Sequence, residues 1–391
     1  MNILASTAFA LVNVLSTAAP ETPAPSAPPM AAGSPPPVVV TAAPGQGIKA
    51  VAGHDDFSIQ LRGRMQLRAE ATSNEASSAI GFTVRRMRFV IGGDMLQKQF
   101  TYNFHLGFAP RDIEADNPIP VRDAWLAWNV SNPVRLRFGQ MKVPFDRQLM
   151  TSSAFLQFPE RSAAVGELTL DRDVGAVLFS APLADAFVYQ VGVFGGDGRN
   201  RLNGDNGLLT TARVQWMPLG AFDDDLVEGD VKDDARARLA FAAAAAFNAA
   251  SPRSRSTTGA FRPDDRVDYV HGTADILFKQ SGFSLLVEGL GRAATTAATE
   301  DSKARSAVGG IVQLGMMVNE HAEIVGRYGH LEPVDGAVAN EDDLVRSDEV
   351  RVGVNYYVLG HDLKLCNDVG ATLPAGGPVT IDAHVMTQIA F

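Results

Sequence analysis

Phe57-Ser58-Ile59-Gln60-Leu61-Arg62-Gly63-Arg64-Met65-Gln66-Leu67-Arg68 has an apolar residue or glycine at every odd position and Ser, Gln or Arg at every even one. A period of two is the period of a strand, because successive side chains leave opposite faces of the backbone. One face of this strand therefore wants lipid or core, and the other wants water. The alternation returns in Phe100-Thr101-Tyr102-Asn103-Phe104-His105-Leu106. It also closes the chain, where Ile381, Ala383, Val385, Ile389 and Phe391 share one parity against Asp382, His384 and Gln388. Carried along the sequence, it predicts sixteen strands at 57–70, 81–92, 98–108, 121–130, 134–143, 173–181, 187–195, 208–217, 236–248, 267–279, 283–293, 307–317, 322–330, 347–358, 362–372 and 380–391. The run of alanines Ala242 to Ala246 is helical by propensity but fits an alternating strand in this frame.

Composition decides what such strands build. The chain has 391 residues, 46% hydrophobic and 20% charged. After residue 20 no stretch approaches the roughly 18 apolar residues of a spanning helix. Barrel strands escape that test, since alternating apolar and polar residues average out. Connections alternate in length: Asn132-Pro133, Gln280-Ser281-Gly282, Asn319-Glu320-His321 and Gly360-His361 are tight, whereas 71–80, 109–120, 144–172, 196–207, 249–266, 294–306 and 331–346 are long. Short periplasmic turns and long external loops characterise outer-membrane barrels. The segment 218–235, long and acidic with Asp223-Asp224-Asp225 and Asp233-Asp234, falls where a short turn is expected. A soluble sandwich would carry a polar outward face and a propeller a blade repeat. Here the outward residues Val134, Leu136, Phe138, Val350, Val352, Val354, Tyr356 and Val358 are uncharged, and no repeat is present. The expected fold is all-β: a transmembrane antiparallel barrel of 16 strands over 56–391, with both termini periplasmic.

The first eighteen residues are apolar and small, ending in Ser16-Thr17-Ala18, and are expected to be a signal peptide. Residues 19–55 are rich in Pro and Ala and are expected to form a periplasmic linker. The 34 Lys+Arg against 44 Asp+Glu, a net charge of -10, argue against a nucleic-acid partner. The single cysteine, Cys366, excludes a disulfide framework and a cysteine zinc site. No P-loop and no Gly-x-Ser-x-Gly elbow occurs, and His321 with Glu323 makes no zinc-binding helix motif, so no catalytic, cofactor-binding or metal residue is assigned. A barrel enzyme would have to use Ser152 with His105, which lack a motif. Gly196-Asp197-Gly198-Arg199-Asn200 with Gly204-Asp205-Asn206-Gly207 lacks the twelfth-position Glu of a calcium loop and is expected to be a plain external loop. Glu341-Asp342-Asp343, on an external loop beside lipopolysaccharide, is expected to recruit divalent cations.

Several ordered motifs carry a resemblance. Gly139-Gln140-Met141-Lys142-Val143-Pro144-Phe145, followed by Thr151-Ser152-Ser153, Glu160-Arg161-Ser162 and Arg172-Asp173-Val174-Gly175, resembles the signature of the phosphate-selective porin O and P family. Arg85-Arg86-Met87-Arg88 and Arg122-Asp123-Ala124-Trp125 precede it, and Gly192 to Gly198, Ala212-Arg213-Val214 and Val352 to Tyr357 follow. The resemblance implies an outer-membrane porin, trimeric, with a constriction loop folded inward after the fifth strand. It also implies passage of small phosphate-like anions, and recognition of the terminal Phe391 by the barrel-assembly machinery. Strand parity nominates Arg62, Arg64 and Arg68, Arg86 and Arg88, and Arg135 and Arg137 as pore-lining. The loop 144–172 adds Arg147 and Arg161, with Lys142 at its base. The alternative reading is that such arginines pair with lumenal acids such as Glu70, Asp123, Glu160 and Glu288 and brace the loop, Arg161 foremost. Between residues 51 and 170, fourteen Lys+Arg face twelve Asp+Glu, which predicts weak anion selectivity. A general porin, or a plugged structural barrel on a periplasmic tether, are the alternatives.

Overall fold

The computed structural model describes residues 38–53, 56–114, 117–202, 204, 207–299 and 302–391. The signal peptide expected over 1–18, and the linker as far as residue 37, lie outside the described residues.

Among the described residues the chain forms sixteen barrel strands. They are Phe57–Ser73 (β1), Ser78–Met95 (β2), Phe100–Gly107 (β3), Val121–Asn129 (β4), Arg135–Lys142 (β5), Arg172–Phe179 (β6), Phe187–Phe194 (β7) and Leu209–Trp216 (β8). Then follow Arg238–Ser251 (β9), Val267–Gln280 (β10), Phe283–Ala297 (β11), Ala307–Met317 (β12), Ala322–Pro333 (β13), Ser347–Leu359 (β14), Leu363–Pro374 (β15) and Thr380–Ala390 (β16). Each pairs antiparallel with its neighbour in sequence, and β16 returns to β1 in register from Ile381↔Ser73 to Ala390↔Arg64. Closure satisfies the backbone hydrogen bonds within the sheet, a condition for crossing lipid with strands. No helix among the described residues is long and apolar enough to cross a membrane.

Alternation holds strand by strand. In β9, Ala242, Ala244 and Ala246 are buried inward while Ala243, Ala245 and Phe247 face out. Pairing on both edges, with Ala243 opposite Val214 and Ala274, overrides the helical propensity of alanine. On β14, Val350, Val352, Val354 and Val358 are about half exposed on the outer surface. Aromatic pairs flank the barrel end that holds the C-terminus: Phe100 with Trp128, and Trp216 with Phe241, stack at 6.1 and 5.8 Å. The terminal residue completes this end. The Phe391 carbonyl accepts from Gly63 N at 2.6 Å and its amide donates to Gly63 O at 2.9 Å. A Cβ on residue 63 would lie 2.4 Å from the Phe391 ring, so a side chain there would push the exposed ring aside.

Two bulges alter the parity. In the β1–β2 ladder Gln66 faces Arg86 but Leu67 faces Val84, leaving Arg85 unpaired. In β3–β4, His105 faces Asp123 and Leu106 faces Val121, leaving Arg122 unpaired. An inserted residue re-aims its neighbours. Arg85 joins Arg86 in reaching a lumenal loop, and Arg122 joins Asp123 at the inner cavity described below.

A hairpin, Val38–Ala43 with Gly47–Ala52, occupies part of the stretch expected as linker. Its second strand adds to the part of β1 that β16 leaves uncovered, with Ile48 opposite Leu61 and Ala52 opposite Phe57. Gly47 makes this possible: its φ is +66° and a Cβ would sit 1.8 Å from the Leu61 carbonyl. The β-branched run Val38-Val39-Val40 supplies the strand propensity that the surrounding Pro and Ala mask.

Two connections enter the barrel. Between β5 and β6, residues 143–171 carry the short helices Arg147–Met150 (α1) and Ala163–Leu168 (α2). Asp146 caps α1 through Leu149 N at 2.8 Å, and Ser162 caps α2 through Val165 N at 3.1 Å. The other is the acidic segment between β8 and β9.

Candidate functional site

Loop 143–171 crosses the lumen because the far wall holds its matching charges. On that wall β10, β11, β13 and β14 present Asp275, Glu288, Glu323 and Glu349, all buried. Arg147 Nε donates to Asp275 at 2.5 Å, and the Arg147 and Gln148 amides donate to Glu288 at 2.5 and 3.2 Å. Gln157 reaches Glu323, and Ala163 N donates to Glu349 at 2.8 Å. Arg292 meets Glu167 of the loop at 2.6 Å. Beneath these bonds Phe145, Val165 and Leu168 share an apolar cluster with Leu286, Leu290 and Ile311. The acidic wall is thus covered by the loop, and its carboxylates are consumed in holding it.

The opposite wall stays open. A cavity of about 530 Å³ lies between the loop and β1 to β7. Its lining includes eight cations, Arg62, Arg64, Arg88, Arg122, Arg137, Lys142, Arg161 and Arg172, against the acids Asp123 and Asp362. Arg88 and Arg122 are paired with Asp112, at 2.6 and 3.4 Å, and Arg172 with Asp123 and Asp171, at 3.0 and 2.9 Å. Arg64 donates only to the Ser152 and Ser153 hydroxyls, at 3.3 and 2.8 Å. Lys142 donates to the Met150 and Thr151 carbonyls, and Arg161 to those of Gln148, Leu149 and Thr151. Arg137 lies over the rings of Trp125 and Phe179, at 4.4 and 4.7 Å.

Of the ten residues nominated from sequence, Arg62, Arg64, Arg88, Arg137, Lys142 and Arg161 meet at this cavity. Arg68 and Arg86 do not line it. With Arg85 they converge on Glu160 of the loop, Arg86 at 3.2 Å, while Glu70 takes a second bond from Arg68. Arg135 lies outside the lining at the start of β5. Arg147 is 1% exposed and bound to the acidic wall, so it anchors the loop instead of facing the gap. Glu160 therefore organises wall arginines, and its neighbour Arg161 is held by carbonyls. Arg122 and Arg172 join the cavity without having been nominated. The first is turned inward by the bulge and the second sits where the loop re-enters the wall; both stand in Arg-Asp pairs of the motifs quoted above.

Burial pushes the Glu160 carboxyl up, but the guanidiniums of Arg86, Arg85 and Arg68 outweigh it and hold the group at about 2. Its ordinary value is 4.5, so its bond to the wall is fully present above pH 4.5 and is lost as pH falls towards 2. The noise that release of Glu160 adds to the open channel is accordingly expected only near pH 2 to 3. A transition at pH 5 to 6 in planar bilayers that Glu160→Gln abolishes would contradict this assignment.

Other nominated features resolve differently. Ser152 accepts from Arg64, whereas His105 Nδ1 faces Asp123 at 2.9 Å, so the two do not pair. Cys366 is buried beneath the loop and donates to the Gln157 carbonyl at 3.1 Å. Asp205 and Asn206 of the calcium-like stretch lie outside the described residues. The expected divalent site at Glu341-Asp342-Asp343 is replaced by basic neighbours: Arg305 reaches Glu341 and Asp343 at 3.0 and 2.7 Å, and Lys303 reaches Asp342 at 2.7 Å. Among the described residues no acidic, His or Cys cluster could hold a metal ion.

Residues 59–371 match the phosphate-selective porin O and P family. The chain belongs to this family. The porin is therefore a protein of the bacterial outer membrane. Its fold is similar to the outer membrane channel DcaP of Acinetobacter baumannii, with a TM-score of 0.58 at 14% identity, over 87% of this chain and 99% of that one. It is similar to the anion-selective porin from Comamonas acidovorans, with a TM-score of 0.56 at 12% identity, over 86% of this chain and 100% of that one. OmpT of Vibrio cholerae, in vitro folded, matches with a TM-score of 0.52 at 13% identity, over 87% and 99% of the two chains. The family and these neighbours are channels, not enzymes. No curated protein matches the porin.

Proposed function

We propose that the porin lets small anions, phosphate and its chemical relatives, diffuse passively through the gap between loop 143–171 and β1 to β7. One observation carries this reading. Of the cations lining the gap, Arg62, Arg64, Arg137, Lys142 and Arg161 have no carboxylate partner among the described residues. Uncompensated cations in a narrow low-dielectric tube raise the local concentration of anions, and the guanidinium fork suits oxyanions. The near balance of fourteen cations and twelve acids between residues 51 and 170 understates this, since Asp112, Asp123 and Glu160 already face arginines. The test is the reversal potential of purified porin in a KCl gradient, with phosphate titrated against chloride current. An anion-side potential and phosphate block are expected, and a cation-side potential would refute the reading.

The wall from β3 to β8 supports a homotrimer. Its strands are eight or nine residues long, against seventeen and eighteen in β1 and β2. Eight residues tilted about 40° rise roughly 20 Å, short of an apolar band of about 25 Å. Neighbouring copies would cover that low wall, while lipid and lipopolysaccharide would meet the tall one. Phe391, seated on Gly63 with its ring exposed, would serve the barrel-assembly machinery. Residues 1–18 would direct export, and the Pro-rich stretch up to residue 37 would form the periplasmic tether.

A further inference from the structure

The acidic segment between β8 and β9 leaves the periplasmic rim and folds upward into the barrel. Its carboxylates find partners on four different strands and on the turn between β10 and β11. Asp225 accepts from Gln215 of β8 at 2.8 Å. Asp224 accepts from Arg238 of β9 at 2.7 Å and from Lys279 of β10 at 3.2 Å. Asp230 accepts from Arg238 and, at 3.0 Å, from the Gly282 amide at the head of β11. Glu228 accepts from Gln313 of β12 at 2.9 Å. Four carboxylates would not leave water for a barrel interior without such compensation.

The segment also meets the constriction loop from below. Glu228 accepts from the Gln148 side chain and the Gln157 amide at 3.0 and 2.8 Å, and its own amide donates to Phe155 O at 3.2 Å. The Asp225 carbonyl accepts from Arg147 at 2.6 Å. At Gly229 a Cβ would lie 2.7 Å from a Glu323 oxygen, so the backbone is pressed against the far wall. Phe222 packs into the apolar cluster, and Leu226 lines the open gap. Loop and segment together therefore occupy the side of the lumen bounded by β8 to β13.

We propose that residues 218–235 are a second, periplasmic constriction that closes this half of the lumen. It cancels Arg238 and Lys279 and leaves permeating ions only the arginine-lined half. The identity of those ions rests on the anion-porin reading, but the closure does not. Because the segment removes more negative than positive charge when it is deleted, its role is to set the cross-section, and anion preference does not depend on its presence.

The experiment compares single-channel currents of the wild type with a full-length variant in which residues 221–234 are replaced by a short glycine linker. Conductance is expected to rise, because the passage widens below the loop and the loop loses its bonds to Asp225 and Glu228, with the reversal potential unmoved or shifted further to the anion side. Unchanged conductance in a folded, heat-modifiable barrel overturns the proposal. A second variant, Leu226→Cys, leaves the segment's polar bonds intact. Its modification by a bulky charged methanethiosulfonate is expected to cut the current, with unmodified wild type, whose Cys366 is buried, as control. An unaffected Leu226→Cys current also overturns it. A cation-selective wild type would instead defeat the anion-porin reading and leave the conductance result standing.

Discussion

Replacing Asp275 by alanine is expected to loosen the hold of the constriction loop on the far wall, at a cost of about 3–5 kcal/mol. Asp275 is the counterion of two guanidiniums, with Oδ1 2.5 Å from Arg147 Nε and Oδ2 2.6 Å from Arg213 Nη2. The Asp275 side chain is 0% exposed, and each arginine side chain 2%. Truncation leaves both cations buried with only neutral acceptors: the Asp225 carbonyl and Gln215 for Arg147, and the Phe145 carbonyl for Arg213. Rearrangement towards the nearby Glu288 would recover part of the loss, and Asp275→Asn, which keeps an acceptor in place, should cost less. The readouts are the denaturation midpoint of the refolded porin and the open-channel noise in bilayers. Wild-type values for both in Asp275→Ala would show that the Asp275 pair does not hold the loop, which its bonds to Glu288, Glu323 and Glu349 and its apolar packing would then secure.

The barrel was legible because each strand pairs on both edges and faces two solvents, so a period of two survives in all sixteen segments. The expected 57–70 becomes Phe57–Ser73 and 236–248 becomes Arg238–Ser251, shifts of a few residues at frayed ends. Parity failed where a bulge inserts one residue. Arg85 and Arg122 were not among the residues that parity nominated, yet a single extra residue in each ladder aims them inward. Loops have no parity at all. Arg147 was visible as a cation, but whether it met solute or an acid depended on Asp275, 128 positions away on another strand. The acidic segment 218–235 stood out as an anomaly for the same reason. Nothing local says that Gln215, Arg238, Lys279 and Gln313 line one interior surface. Charge counting failed because it averages: acids that hold the constriction loop weigh the same in a sum as acids that would face an ion.

The charge on the open side of the gap should therefore govern selectivity, and Arg64→Glu with Arg137→Glu tests it. Arg64 holds no carboxylate, only Ser152 and Ser153, and Arg137 rests on Trp125 and Phe179. The double change alters the lining by four charge units. At about 6 Å each unit contributes roughly 0.7 kcal/mol even at the dielectric constant of water. After screening at 0.1 M salt, about 2 kcal/mol remains in the balance between anions and cations, more than ten-fold in relative permeability. The reversal potential should cross to the cation side and phosphate block should weaken, while the fold persists. The packing supports that last point. Neither arginine neutralises a buried acid, so no carboxylate is orphaned, and the serine hydroxyls can turn to donate to Glu. A folded double variant with the wild-type reversal potential would place the selectivity filter elsewhere along the pore.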